Sequence, residues 1–197
     1  MRDFNIVLFE QFETLDAFGP AEIIGKLPEM YNLGYFSPKG GAVTSSQNLK
    51  ALTRPLKEIN GGGILLIPGG MGTRNLVRDE AFIEALSCLA RAAEYVLTVC
   101  TGSALLAKTG LLDGKKATSN KKAFDWVCAQ NARVNWQRRA RWTVDGRIYT
   151  ASGISAGMDM ALGFIAQMHG GELAGDIAGR IEYVWNADKE NDPFALS

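Results

Sequence analysis

The sequence predicts an α/β domain built on a flavodoxin-like, doubly wound sheet, mostly parallel and sandwiched by helices. Three observations carry this. Short apolar runs at residues 4–9, 64–67 and 94–99 have the make-up of strands covered on both faces. Segments with apolar residues at helical spacing alternate with them nearly throughout. Abrupt breaks, Pro68-Gly69-Gly70 and Cys100-Thr101-Gly102, follow two of the runs directly, as loops at strand ends do.

In chain order, Phe4-Asn5-Ile6-Val7-Leu8-Phe9 reads as a buried, β-branched strand. Thr14 is placed to cap a helix from Leu15 to about Ile24, and residues 31–36 form a second strand. A hairpin or short strands are expected over residues 42–52. Gly61-Gly62-Gly63 leads into the strand at 64–67. Asp79 starts a helix through Ala90, with Phe82, Ile83, Leu86 and Leu89 on one stripe. The strand at 94–99 breaks at Cys100 and passes into a helix from about Gly102 to Lys108. A short strand at 116–118 and a helix at 122–128 follow. Asp145-Gly146 between residues 141–144 and 147–151 is a strong hairpin signal. Helices at 154–168 and 172–183 precede a polar tail. With no linker, repeat or low-complexity stretch in view, residues 1–197 read as one domain.

Composition excludes several classes. Of the 197 residues 47% are hydrophobic, enough for a substantial core, and 21 basic residues balance 21 acidic ones. A nucleic-acid or anionic-membrane binder needs a positive excess, so no nucleic-acid partner is expected. The local basic cluster, Arg133, Arg138, Arg139 and Arg141, reads as a solvated face. No stretch reaches the roughly 18 apolar residues of a membrane helix. The N-terminus enters a strand at once, without the pattern of a signal peptide, so a cytoplasmic location is expected. Cys88, Cys100 and Cys128 are an odd count without paired spacing, and His169 is the sole histidine. Neither a disulfide framework nor a metal site is expected from them.

Ligand sites in such sheets lie beyond the carboxyl ends of the strands. Asp16, Gly69-Gly70 and Cys100-Thr101-Gly102 occupy those places. A residue between a buried strand and a helix start turns sharply and projects its side chain from the top of the sheet, the mechanical logic of a nucleophile elbow. The new helix directs its positive end at the sulfur, which favours thiolate at Cys100. Cys88 and Cys128 read instead as small buried hydrophobes. The N–H groups of Thr101, Gly70 and Met71 are candidate donors to a developing negative charge. For Asp16 the plain alternative is a first-turn carboxylate serving its own helix, and for Pro68-Gly69-Gly70 an ordinary turn.

Val99-Cys100-Thr101-Gly102-Ser103, Ile67-Pro68-Gly69-Gly70-Met71-Gly72, Leu15-Asp16-Ala17-Phe18-Gly19-Pro20 and Gly153-Ile154-Ser155-Ala156-Gly157-Met158-Asp159, taken together, resemble the DJ-1/PfpI superfamily over residues 4–183. Within it the pattern is most similar to the isocyanide (isonitrile) hydratase branch. The same elements occur in amidotransferase-like domains of transcription regulators, for whose DNA-binding helices 197 residues leave no room. The resemblance implies Cys100 as nucleophile, Asp16 as its acid/base partner, and Thr101 positioning water or substrate. The hydratases carry a His-Trp pair where this chain has Asn120 and Lys121, so Asn120 joins Gly69, Gly70 and Met71 as a candidate substrate or oxyanion contact of altered character. No histidine follows the nucleophile as in PfpI-type proteases, and His169 reads as a structural helix-end residue, so peptidase and glutaminase chemistry are not expected.

The resemblance thus implies a cofactor-independent enzyme acting on a small-molecule electrophile, foremost an isonitrile hydrated to an N-substituted formamide. Glyoxalase-type action on an α-oxoaldehyde is one alternative. A non-enzymatic role, sensing oxidants through Cys100 or serving as a regulatory binding domain, is another. Many superfamily members pair, so a homodimer is expected.

Overall fold

In the computed structural model, which describes residues 1–195, the first apolar run forms β1 (Arg2–Val7) near the middle of an eight-stranded sheet. Phe4, Ile6 and Val7 are fully buried, as a strand between two helical layers requires. On one side of β1 lie β2 (Tyr31–Ser37), β4 (Lys50–Pro55) and β3 (Gly41–Thr44). On the other lie β5 (Ile64–Ile67), β6 (Tyr95–Val99), β10 (Ile148–Ala151) and β9 (Trp142–Asp145). All pairings are parallel except the two edges, β3 with β4 and β9 with β10. A separate two-stranded ladder joins β7 (Lys116–Ala117) to β8 (Asn135–Trp136).

The chain runs from β1 through α1 (Thr14–Ile24) to β2, then returns to β5 on the far side of β1 and moves outward through α3 (Glu80–Ala92) to β6. Right-handed crossovers in opposite directions put the helices on opposite faces. One layer therefore holds α1, α6 (Ala156–His169) and α7 (Gly171–Arg180), packed successively on one another. The other holds α2 (Thr73–Leu76), α3, α4 (Gly102–Lys108) and α5 (Phe124–Cys128), with α4 touching the other three. The reversal of direction falls between β1 and β5, the place where open α/β sheets form a crevice.

Local differences from the expected elements have physical reasons. The residue capping α1 is Glu13, not Thr14; Thr14 turns its hydroxyl to Ser45 Oγ (2.8 Å) and Gln47 Oε1 (2.7 Å). Asp79 does cap α3, accepting the Phe82 N–H at 3.0 Å. The helix expected from residue 154 starts at Ala156, because Ile154 has φ 46°. Cys88 is exposed on the outer side of α3 rather than buried, and Cys128 is only half-buried.

The basic cluster also divides. Arg133 and Arg138 make exposed pairs with Asp113 and Asp125, whereas Arg141 is buried. Its guanidinium holds Asp159 at 2.7 Å and Asp192 at 3.4 Å. The other oxygen of Asp159 accepts the Tyr183 hydroxyl and the Asn186 N–H, each at 3.0 Å. The C-terminal tail is thereby strapped to the end of the sheet by buried charge pairs, alongside the packing of Tyr183 and Trp185 on the core. Removing Arg141 takes the bonded cation from both buried carboxylates, leaving Asp192 with only Lys121 at 3.9 Å. Arg141→Ala is expected to cost about 3–5 kcal/mol in urea unfolding, while Arg138→Ala stays within about 0.5 kcal/mol. Equal costs for the two would show that the buried network does not hold the tail.

Candidate active site

Strands β1, β5, β6 and β10 are consecutive neighbours in the sheet, so the loops that leave their carboxyl ends meet. Those loops carry Asp16, Gly69-Gly70, Cys100-Thr101 and Ser152-Gly153. Backbone bonds knit them together. Glu13 N–H donates to Gly69 O at 2.8 Å, Phe12 bridges to Gly70, and Cys100 N–H donates to Ser152 O at 2.9 Å.

Cys100 sits between β6 and α4 with φ 56°, a left-handed conformation that costs an ordinary L-residue about 1–2 kcal/mol. The surroundings hold it there. Its carbonyl accepts from Ser103 Oγ (3.0 Å) and Ser119 Oγ (2.8 Å). The next turn passes so close to β5 that a Cβ on Gly102 would strike the carbonyl oxygen of Ile67. Glycine is required at 69 for a similar reason, since a Cβ would lie 2.6 Å from Thr101 N and 2.9 Å from Asp16 Oδ2.

Asp16 is completely buried in the first turn of α1, yet it does not serve that helix. Its Oδ2 accepts the Gly69 N–H at 2.9 Å, while Oδ1 is buried with no partner of hydrogen-bond geometry. The carboxyl lies close enough to the Cys100 thiol for each to bear on the other's ionisation. Cys100 itself is only 7% exposed.

Three further groups bear on the sulfur: the N–H and hydroxyl of Thr101 and the side-chain amide of Asn120. Asn120 is fixed from behind, its Oδ1 accepting the Ala123 N–H at 3.1 Å. Its amide passes Gly153 so closely that a Cβ there would strike Nδ2. The Thr101 hydroxyl is tied into the neighbouring loop, accepting from Gly70 N–H and Thr73 Oγ1, both at 3.1 Å. Gly69 and Gly70 therefore do not offer free donors: the N–H of the first is given to Asp16 and that of the second to Thr101. Met71 follows on the same loop, 60% exposed, and is not among the groups that contact the sulfur.

Sequence reasoning missed Arg74 and Trp126. The Arg74 guanidinium lies 3.4 Å over the Trp126 ring and close enough to Cys100 to feel its charge. The stack links the residue after Thr73 to the helix after Asn120 and fixes a cation within electrostatic reach of the thiol. No spacing rule pairs residues 74 and 126; only the meeting of α2 and α5 does. His169, by contrast, ends α6 and bonds Tyr31 Oη at 2.6 Å. Tyr31 begins β2, so the histidine lies at the opposite end of the strands from Cys100.

The electrostatics correct one expectation. Burial pushes the Asp16 carboxyl up from 3.8 to about 7, held back by the Gly69 N–H and raised further by Glu13. Burial likewise pushes the Cys100 thiol up, and the Asp16 charge adds to the rise, against the Thr101 and Asn120 hydrogen bonds. A helix N-terminus contributes at most about 2 kcal/mol, whereas burying a charge shifts a pKa by up to about 3–5 units. Burial wins. The resting pair keeps its proton on sulfur, with Asp16 near its titration midpoint at neutral pH.

The DJ-1/PfpI family model matches residues 4–167. The chain belongs to the DJ-1/PfpI family. It is 32% identical over 180 residues to a Pseudomonas putida protein named isonitrile hydratase, a match covering 91% of this chain and 77% of the relative. It is 29% identical to the Pseudomonas aeruginosa HTH-type transcriptional regulator CdhR over 88% of this chain, spanning about half (52%) of that regulator. A THiJ/PfpI family protein from Pseudomonas syringae shares the fold, with TM-score 0.85 and 24% identity over 98% of this chain and 77% of its own. The family's α/β architecture is thus the one the four loops are mounted on.

A raised Asp16 has a stability consequence. Between about pH 4 and 7 the folded state keeps a proton that the unfolded chain has lost, so the wild type loses stability as pH rises through this window. Asp16→Asn has no such loss. Its unfolding free energy relative to wild type is expected to improve by a few kcal/mol from pH 4 to pH 7. Parallel curves for the two proteins would show that Asp16 titrates normally.

Proposed function

We propose that this chain is a cysteine-dependent enzyme that adds water to a small electrophilic carbon, with hydration of an isonitrile to an N-substituted formamide as its reaction. The observation that supports this most is the Asp16 and Cys100 pair: a thiol beside a carboxyl that exchanges a proton near neutrality, with one carboxyl oxygen left over. The likeness to a protein named isonitrile hydratase over 91% of the chain supports the substrate class.

In this reading the Asp16 carboxylate takes the thiol proton as the Cys100 sulfur attacks the terminal carbon of R–N≡C. A C–S bond forms, and Asp16 passes the proton to that carbon, giving the thioimidate R–N=CH–S–Cys100. Asn120 and the Thr101 N–H stabilise charge on sulfur during the transfer, with Arg74 within electrostatic reach. Water then adds to the same carbon, losing one proton by way of Asp16 while the nitrogen gains one. The C–S bond breaks, sulfur recovers its proton, and R–NH–CHO leaves. Atoms balance as RNC plus H₂O, and no cofactor enters. The geometry gives a histidine no part in it, because His169 is bonded to Tyr31 at the far end of the sheet.

The match to the transcription regulators favours a second reading, in which the same fold serves as a ligand-binding regulatory domain. Turnover separates the two. Purified protein is expected to convert cyclohexyl isonitrile to the formamide, followed by mass spectrometry, with kcat/KM rising with pH toward about 7 as Asp16 ionises. Cys100→Ser and Asp16→Asn are each expected to lower kcat/KM by about 10³-fold or more, with the double variant little worse. Isonitrile left unconsumed, or Cys100→Ser indistinguishable from wild type, rejects the reaction; methylglyoxal assayed alongside identifies an α-oxoaldehyde enzyme instead.

A further inference from the structure

A cavity of about 490 Å³ is lined by residues that neighbour Cys100 in space, Asn120 and Ser152, together with Gly153, Ile154, Ser155, Pro193 and Phe194 among others. It adjoins the reacting atoms through two residues. Asn120, which forms part of its wall, gives its amide to the Cys100 sulfur, and Ser152, also in the wall, holds the Cys100 N–H. The volume falls in the range that encloses a small organic ligand. Its large side chains, Ile154 and Phe194, are 39% and 66% exposed and give the wall an apolar surface that an apolar substituent would cover.

The wall is assembled from a distant part of the chain. Pro193 and Phe194 follow Asp192, whose carboxylate is held by Arg141 (3.4 Å) and faces Lys121 Nζ (3.9 Å). The Asp192 N–H donates to Arg139 O at 2.8 Å, and the Phe194 N–H donates to Asp192 Oδ1 at 2.9 Å. Lys121 is further committed to Ala140 O (2.7 Å) and Thr118 Oγ1 (2.9 Å). The neighbouring residues Asn120 and Lys121 thus face two ways, one to the sulfur and one to the strap. With Lys121 so engaged, Lys122 is the one wall cation without such bonds among the described residues, and Arg74, outside the wall, lies within electrostatic reach of Cys100.

We propose that this cavity is the subsite for the substituent on the substrate's reacting group, and that it takes an uncharged, apolar substituent of cycloalkyl or aryl size. Phe194 determines the specificity, and the Asp192 anchor positions it. The inference rests on the thiol chemistry proposed above, and the test keeps the two apart.

Methyl, benzyl and carboxymethyl isonitriles are compared with wild type, Phe194→Ala, Phe194→Trp and Asp192→Asn. Wild type is expected to favour benzyl over methyl by about tenfold or more in kcat/KM. Phe194→Ala is expected to lower that preference about tenfold through KM, Phe194→Trp to change it by filling the cavity, and Asp192→Asn to shift it in the same direction as Phe194→Ala. Binding of N-benzylformamide to Cys100→Ser by calorimetry reads the cavity without any turnover, and is expected to weaken several-fold in Cys100→Ser/Phe194→Ala. Preference for the methyl or carboxymethyl compound, or a benzyl preference unmoved in all three variants, overturns the inference while leaving isonitrile hydration standing. Absence of turnover with N-benzylformamide still bound in a Phe194-dependent way supports the subsite and rejects the reaction. Neither turnover nor binding rejects both.

Discussion

Two acids placed together out of water govern the rest of this structure. A carboxyl group and a thiol each resist ionisation when buried, and each resists it more when the other is charged. Asp16 and Cys100 are in that position, completely and almost completely buried. The pair therefore holds at most one negative charge near neutrality, and moving one proton between them is easier than removing it to solvent. The surroundings are arranged for that shared charge. Gly69 N–H braces one carboxyl oxygen, Thr101 and Asn120 face the sulfur, and Arg74 lies within electrostatic reach.

Such a pair needs a frame that does not yield. Much of the frame is backbone meeting backbone, which is why glycine recurs at close approaches. At Gly102, at Gly69 and at Gly153 a single methyl group would collide with a carbonyl, an amide or the Asn120 side chain. The left-handed Cys100 is held by bonds to its own N–H and carbonyl from Ser152, Ser103 and Ser119. Strain at Cys100 is thus balanced by satisfied hydrogen bonds around it rather than by looseness.

A second device acts at longer range. The buried group of Arg141, Asp159 and Asp192 ties the C-terminal tail to the sheet end beside the thiol. Charge pairing of this kind is directional where apolar packing is not, so it fixes the placement of Pro193 and Phe194. Strands β9 and β10 beside it form one of the two antiparallel edges of the mainly parallel sheet.

The strands, most helices and the sharp turn at Cys100 were legible in the sequence because their signals are local. Ile64–Ile67 is apolar without interruption, Asp79 stands where a capping carboxylate is needed, and Cys100 interrupts a strand just before a helix. Asp16 and Asn120 were reached through the four motifs that resemble the DJ-1/PfpI family, not through spacing. Local signals failed where a distant partner changed a residue's surroundings. Thr14 bonds Ser45 and Gln47 instead of capping its helix, Gly70 spends its N–H on Thr101, and Arg141 looks like its solvated neighbours until Asp159 and Asp192 surround it. By itself, then, the sequence determined the alternation of elements and the position of one sharp strand-to-helix turn, since these follow from periodicity and chain geometry. Only the tertiary structure decided which proton the sulfur keeps, which cation lies near it and which tail residues wall the cavity, because ionisation and shape depend on groups brought together from 16, 74, 100, 120 and 192, which no local pattern relates.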